Sequence, residues 1–132
     1  MNVKLAHHLW EGGEALSLRL PDRRRVKVLR MRGDDLDALD RDDYRKSLSP
    51  LRPIIKGKKE IWILFDDLTR PTRASEVLPY LLEVLEESGV RDEQVRFICA
   101  LGTHAALDNT SLRKKLGEEA LERFPVYNHW LD

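Results

Sequence analysis

Polar side chains follow an apolar run in the middle of the sequence. The run at positions 61–65 reads Ile-Trp-Ile-Leu-Phe, and Asp67, Thr69 and Arg70 come soon after it. Such runs are typical of strands that are buried on both faces of a parallel sheet. The Arg70 guanidinium can form paired hydrogen bonds with a carboxylate or a phosphate. From these residue types alone, an anion site and an Asp67–Arg70 pair that only fixes the loop are equally good interpretations.

A second apolar run ends in a similar way. Positions 95–101 read Val-Arg-Phe-Ile-Cys-Ala-Leu and are followed by Gly102, Thr103 and His104. The carboxyl ends of neighbouring parallel strands meet at one edge of a sheet, and open α/β sheets bind ligands there. A histidine at this edge can act as a general acid or base, although a single histidine is more often structural. The predicted crevice is lined by Asp67, Thr69, Arg70, Thr103 and His104.

The elements that position these residues are predicted to form a β-α-β unit. Strands are expected at 60–65 and 95–101, and a helix capped by Ser75 is expected to run to about Ser88 between them. Such units are right-handed crossovers between parallel strands. After His104, Asp108 or Asn109 can cap a further helix.

The amino-terminal part alternates apolar and polar residues at 15–20 and again at 26–31. Two alternating segments joined by a short polar turn predict an antiparallel β-hairpin. The predicted fold is therefore α/β, with a single domain over residues 1–132. Its sheet has a parallel core, helices pack on that sheet, and a hairpin precedes it.

Composition narrows the function classes. The chain has 132 residues, with 23 Lys plus Arg and 23 Asp plus Glu, so its net charge is zero and no nucleic-acid partner is expected. No apolar stretch approaches the roughly 20 residues of a membrane span, and no signal-peptide pattern opens the chain. The one cysteine, Cys99, fits a core position and a reducing, cytoplasmic environment. No Cys/His cluster has zinc-site spacing, so no metal site is predicted.

The strand-end motifs together point to a known family. They read Leu-Phe-Asp-Asp-Leu-Thr-Arg-Pro-Thr at 64–72, Ala-Leu-Gly-Thr-His at 100–104 and Val-Tyr-Asn-His at 126–129. In order and spacing they resemble the amino-terminal part of the nickel-dependent lactate racemase family, over nearly the whole chain. The resemblance implies a 2-hydroxy-acid racemase or epimerase that uses a nickel-pincer nucleotide to accept hydride from the substrate carbon.

The resemblance also implies residue roles. His104 is similar to the family's acid/base histidine, and Arg70 to the arginine that holds the substrate carboxylate. Asp67, Thr69 and Thr103 would shape the same pocket. Ala105 and Ala106 stand where the family usually has arginine and proline, so any contact made by that arginine is absent.

Family members are several times longer than this chain, and their nickel ligand and cofactor-bearing lysine lie beyond the position that matches Asp132. The chain alone is therefore expected to be inactive and to bind no cofactor, and its cofactor-binding residues are unknown. We expect either a missing carboxyl-terminal domain as partner or self-association through apolar surface at Trp10, Trp130 and Leu131.

Other functions fit the same residues. In a non-catalytic anion- or nucleotide-binding module, the corner around Arg70 would hold an anion without turnover. In a purely structural domain, Asp67 and Arg70 would tie the loop internally and His104 would be satisfied by backbone groups.

Overall fold

The computed structural model describes residues 1–5, 15–23, 25–27, 29 and 36–129. The chain divides into two compact units, Met1–Ala38 and Leu39–Asp132. The apolar residues expected to mediate association, Trp10, Trp130 and Leu131, lie outside the described residues. The single-domain extent of 1–132 stays a prediction.

The first unit contains the antiparallel hairpin of β1 (Asn2–Leu5) and β2 (Leu16–Arg19). The hairpin and the strand predicted at 15–20 are confirmed, but the predicted partner at 26–31 is wrong. The described positions of that segment are not in a strand, and the other positions lie outside the described residues. An alternating pattern predicts a strand and the faces on which its side chains lie, but it does not predict which other segment pairs with that strand.

The second unit is built on a three-stranded parallel sheet in the order β3-β4-β5. Its strands are β3 (Ile61–Phe65), β4 (Val95–Cys99) and β5 (Val126–Asn128). Phe65 lies opposite Cys99, and Cys99 lies opposite Asn128. The predicted α/β fold with a parallel core is confirmed, and all three strands end at one edge.

Helices connect and cover these strands. They are α1 (Arg41–Leu48), α2 (Arg52–Ile55), α3 (Ala74–Glu87), α4 (Asn109–Leu116) and α5 (Glu118–Arg123). Short 3₁₀ turns occupy Ser49–Leu51 and Asp92–Gln94. In the part of the chain that the structure describes, none of the helices has the length and apolarity needed to span a membrane.

The ends of α3 show where local prediction succeeds and fails. The helix begins at Ala74 after Arg73, so the prediction that Ser75 caps it is wrong. Its carboxyl end is as predicted, because Gly89 has a φ of 75°. Gly89 N–H donates to the Glu86 carbonyl at 2.9 Å and Val90 N–H donates to the Leu85 carbonyl at 3.0 Å, the paired bonds that commonly end helices.

The core lies between one face of the sheet and the helices. The expectation that β3 is buried on both faces is wrong, because Trp62 and Leu64 on its other face are exposed. β4 contributes Val95, Phe97 and Cys99, which are all buried. They pack in one cluster with buried side chains of the covering helices, Leu78, Leu82, Val84, Leu85, Leu112, Leu116 and Ala120. Phe65 and Cys99, the last residues of β3 and β4, belong to this cluster. The predicted site residues follow soon after these two buried positions.

Candidate functional site

The loop after β3 is held by the side chain of Asp67. Thr69 donates to Asp67 Oδ1 through its backbone N–H at 3.0 Å and through its hydroxyl at 2.5 Å. The Arg70 N–H donates to the Asp67 carbonyl at 3.3 Å. Asp67 is only 4% exposed. A buried carboxylate with several donors fixes the loop conformation.

The turn after β4 delivers His104 to the same carboxylate. Gly102 has a φ of 60°, and the His104 N–H donates to the Leu101 carbonyl at 3.1 Å. His104 Nδ1 is hydrogen-bonded to Asp67 Oδ2. The His104 side chain remains 48% exposed. With Nδ1 directed at Asp67, Nε2 is the ring nitrogen that can face a ligand.

The protonation of Asp67 follows from its surroundings. Burial raises the pKa of Asp67, but the hydrogen bonds from Thr69 and His104 outweigh burial and leave that pKa below its ordinary value. An ionised carboxylate has no proton to donate, so His104 must donate from Nδ1. Neutral His104 then carries its acceptor lone pair on Nε2, as a general base requires.

A buried lysine fixes the other side of the loop. Lys115, on α4, is 0% exposed. Its Nζ lies 2.8 Å from Asp66 Oδ1 and donates to the carbonyl oxygens of Asp67 at 3.0 Å and Thr72 at 2.8 Å. Lys115 was not among the residues predicted for the site, although its spacing of three residues from Leu112 indicates the buried face of α4.

Lys115 also controls the charge of Asp66. Burial raises the pKa of Asp66, but hydrogen bonds from Lys115 and from the Thr72 hydroxyl outweigh burial and lower that pKa. The adjacent carboxylates Asp66 and Asp67 are thus both ionised, and each is directed at a different partner. These two carboxylates therefore do not share a proton, as neighbouring carboxylates in other sites often do.

The other predicted residues lie at the same edge of the sheet. Arg70 and Thr69 are exposed in the loop after β3, and Thr103 is exposed immediately before His104. Arg70 is connected to Asp67 through its backbone N–H. Arg73, a weaker candidate by sequence, pairs with Glu76 at 2.9 Å on the surface.

Asn128 holds the segment that follows His104. Its Oδ1 accepts from the Leu107 N–H at 3.1 Å, and its Nδ2 donates to the Leu107 carbonyl at 3.0 Å. The N–H of the next residue, His129, donates to the Cys99 carbonyl at 2.9 Å. The end of β5 therefore supports the same edge, a role that the sequence analysis did not assign to Asn128.

Two further kinds of site, a metal site and a reactive thiol, concern the His, Cys, Asp and Glu side chains. Within the described ranges, no group of three or more His, Cys, Asp or Glu side chains could hold a metal ion. Burial, together with the charge of Asp67, raises the pKa of the Cys99 thiol to about 11. Cys99 is thus a neutral core residue near pH 7, as expected.

An open pocket of about 330 Å³ lies between the end of β3 and α3. Asp66 and Thr72 line it together with apolar side chains such as Val77 and Leu81. It is lined by neither Arg70 nor His104. This pocket is therefore distinct from the predicted crevice.

Comparisons with known proteins agree with this architecture. Residues 12–132 match the family described as the lactate racemase N-terminal domain. The curated lactate racemase of Thermoanaerobacterium thermosaccharolyticum is 27% identical over 119 residues, which are 84% of this chain and 28% of that protein.

Solved structures also resemble this chain, including that of a lactate racemase. The lactate racemase apoprotein from Thermoanaerobacterium thermosaccharolyticum superposes with a TM-score of 0.68 at 25% identity, over 98% of this chain and 30% of that one. A crystal structure of a protein from Thermotoga maritima superposes with a TM-score of 0.58 at 27% identity, over 70% of this chain and 22% of that one. The chain spans less than a third of the length of these relatives.

Proposed function

This chain belongs to the lactate racemase N-terminal domain family, and on that premise we propose that it supplies one acid–base group and the substrate anchor of a 2-hydroxy-acid racemase or epimerase. The observation that carries the proposal is the hydrogen bond between His104 Nδ1 and Asp67 Oδ2 at the carboxyl edge of the sheet. Arg70 lies on the same loop as Asp67. The chain contributes part of an active site that other residues complete.

His104 is the proposed acid–base group. Asp67 accepts a hydrogen bond from Nδ1–H, so Nε2 can take the proton of the substrate hydroxyl and return it. The hydride from the carbinol carbon would go to the cofactor of the complete family protein and would come back from it in the reverse step. About half of the His104 side chain is exposed, at 48%, which supports access for a substrate.

Arg70 is the proposed anchor for the substrate carboxylate. Its planar guanidinium offers two parallel N–H donors, which match the two oxygens of a carboxylate. Thr103 lies beside His104 and is proposed to contact the same substrate. Because Asp67 is buried and Thr69 donates to it, we propose that these two residues shape the pocket by orienting His104 and the loop.

The described residues do not fit a nickel site, because they hold no cluster of three potential ligand side chains. We therefore assign neither the metal nor a cofactor contact to this chain. A nickel-pincer nucleotide stays part of the proposal for the complete family protein only.

The proposed partners are a small 2-hydroxy-acid substrate and the carboxyl-terminal part of a complete racemase, with self-association as the alternative. A cytoplasmic location also stays a proposal, supported by the single buried thiol of Cys99.

The test is interconversion of D- and L-lactate by the complete gene product, followed by chiral chromatography. His104→Asn keeps a donor for Asp67 but removes the acid–base nitrogen, so kcat should fall by about 100-fold or more. Arg70→Lys should raise KM for lactate by about tenfold, since an ammonium cannot bind a carboxylate in the forked manner. Arg73→Lys is the matched control and should leave both constants within about twofold.

Wild-type activity of His104→Asn would reject the catalytic role. The alternative, a non-catalytic anion- or nucleotide-binding module, is favoured if lactate binding depends on Arg70 but no interconversion occurs with any 2-hydroxy acid.

A further inference from the structure

Lys115 forms an unusual set of contacts with the loop after β3. Lysine is almost never fully buried unless it is paired, yet Lys115 is 0% exposed. Besides Asp66 Oδ1 and the carbonyl oxygens of Asp67 and Thr72, the Arg70 carbonyl oxygen lies 3.4 Å from Lys115 Nζ. All of these oxygens belong to one short loop.

The positions of these oxygens define what Lys115 restrains. Its closest carbonyl partners are Asp67 at 3.0 Å and Thr72 at 2.8 Å, which flank Arg70 on both sides in the sequence. An ammonium has three N–H donors, so it can bind several acceptors of one loop at once. These contacts hold the backbone on both sides of Arg70. They therefore restrict the direction in which the Arg70 side chain extends from the loop.

We propose that Lys115 is a positioning residue that sets the backbone from which Arg70 binds the substrate carboxylate. The inference rests on the proposed function, in which Arg70 is that anchor. Forked binding of a carboxylate tolerates only small displacements of the guanidinium. A shift of the loop therefore weakens carboxylate binding although no group that touches the substrate has been removed.

The charge of Lys115 contributes in a second way. Asp66 is four residues before Arg70, and its side chain is 34% exposed. Ion pairing to Lys115 and the hydrogen bond from the Thr72 hydroxyl hold this carboxylate. Without Lys115, Asp66 loses its cationic partner, and its negative charge on the same loop opposes binding of a second carboxylate.

The test is a double-mutant cycle in the complete gene product with lactate as substrate. Lys115→Met keeps the length of the side chain but removes its charge and donors, and should raise KM by about fivefold to tenfold. Combining it with Arg70→Lys should raise KM no further than Arg70→Lys alone, because both changes act on one contact. Lys114→Met, at the exposed neighbouring position of α4, is the control and should leave KM unchanged.

A merely structural lysine gives a different result. Partial unfolding lowers the concentration of active enzyme and hence the apparent kcat, while KM stays the same. An unchanged KM in Lys115→Met, or KM effects that multiply in the double variant, overturns the inference while the role of Arg70 stands. If Arg70→Lys itself leaves KM unchanged, both the anchor role of Arg70 and the inference are rejected.

A milder variant covers the case in which Lys115→Met does not fold. Lys115→Gln keeps N–H donors for the carbonyl oxygens but removes the charge and shortens the side chain. It should raise KM by about threefold, again without adding to the effect of Arg70→Lys. An unchanged KM in folded Lys115→Gln overturns the inference.

Discussion

The imidazole of His104 and the carboxylate of Asp67 are hydrogen-bonded to each other although they are 37 residues apart in the chain. They come from the ends of neighbouring strands, β4 and β3, whose register places Cys99 opposite Phe65. Because Asp67 is buried and ionised, it determines which ring nitrogen of His104 carries the proton. The register of β3 and β4 thus brings together the carboxylate that orients this histidine and the histidine itself.

Changing Asp67 to Asn should reverse the tautomer of His104. The amide can turn its NH₂ group towards Nδ1, which favours protonation of Nε2 and removes the proton acceptor from the ligand side. We expect kcat of the complete gene product to fall by about 100-fold. Nitrogen chemical shifts of the His104 ring report the tautomer directly, and an unchanged tautomer with unchanged kcat would contradict the proposed role of Asp67.

The carboxylates at this edge should also make stability depend on pH. Hydrogen bonds and ion pairs lower the folded-state pKa of Asp66 and Asp67 below the ordinary value of 3.8. Their stabilisation is therefore present above that ordinary value and is lost as the pH falls through the lower folded-state values. Below about pH 4, the free energy of unfolding should decline.

Asp67→Asn isolates one of these contributions. The variant should be less stable by about 1–2 kcal/mol at neutral pH, because charge-assisted hydrogen bonds are lost. That difference should shrink as the pH falls below 3.8 and through the lower folded-state pKa of Asp67, because the carboxyl group then becomes protonated. Urea unfolding of the 132-residue chain across this range measures it, and a difference that stays constant with pH would count against an ionised Asp67.

Gly102 and Gly89 both have positive φ and give a matched pair of variants that separates an effect on stability from an effect on function. Gly102 and Gly89 have φ values of 60° and 75°, and a Cβ added at either one would meet nothing within 4 Å. Replacement by alanine should therefore cost about 1 kcal/mol at each position, through backbone strain alone. Gly102 lies in the turn that delivers His104, whereas Gly89 ends α3.

Gly102→Ala and Gly89→Ala should consequently lower the melting temperature of the complete gene product by similar amounts. Only Gly102→Ala should also lower kcat, since the turn before His104 must shift to relieve the strain. Equal kcat values for the two variants would show that the Gly102 turn does not position the histidine.

The sequence predicted the edge of the sheet because the relevant signals are local. Apolar runs identified β3 and β4, and the rule that parallel strands present their carboxyl ends together placed Asp67 and His104 near each other. The motifs at 64–72 and 100–104 identified the family. These conclusions need only the order of residues along each strand and the geometry of a β-α-β unit.

Only the tertiary structure decided which side chains meet. The partner of β2 proved to be β1, because alternation defines the faces of a strand but not its neighbour. The helical spacing of Leu112, Lys115 and Leu116 indicates the buried face of α4, but only the packing of α4 shows that the Lys115 ammonium contacts the loop after β3. A buried charge is stable there only because oxygens from distant positions converge on it, and that convergence depends on packing between elements that local sequence patterns do not specify.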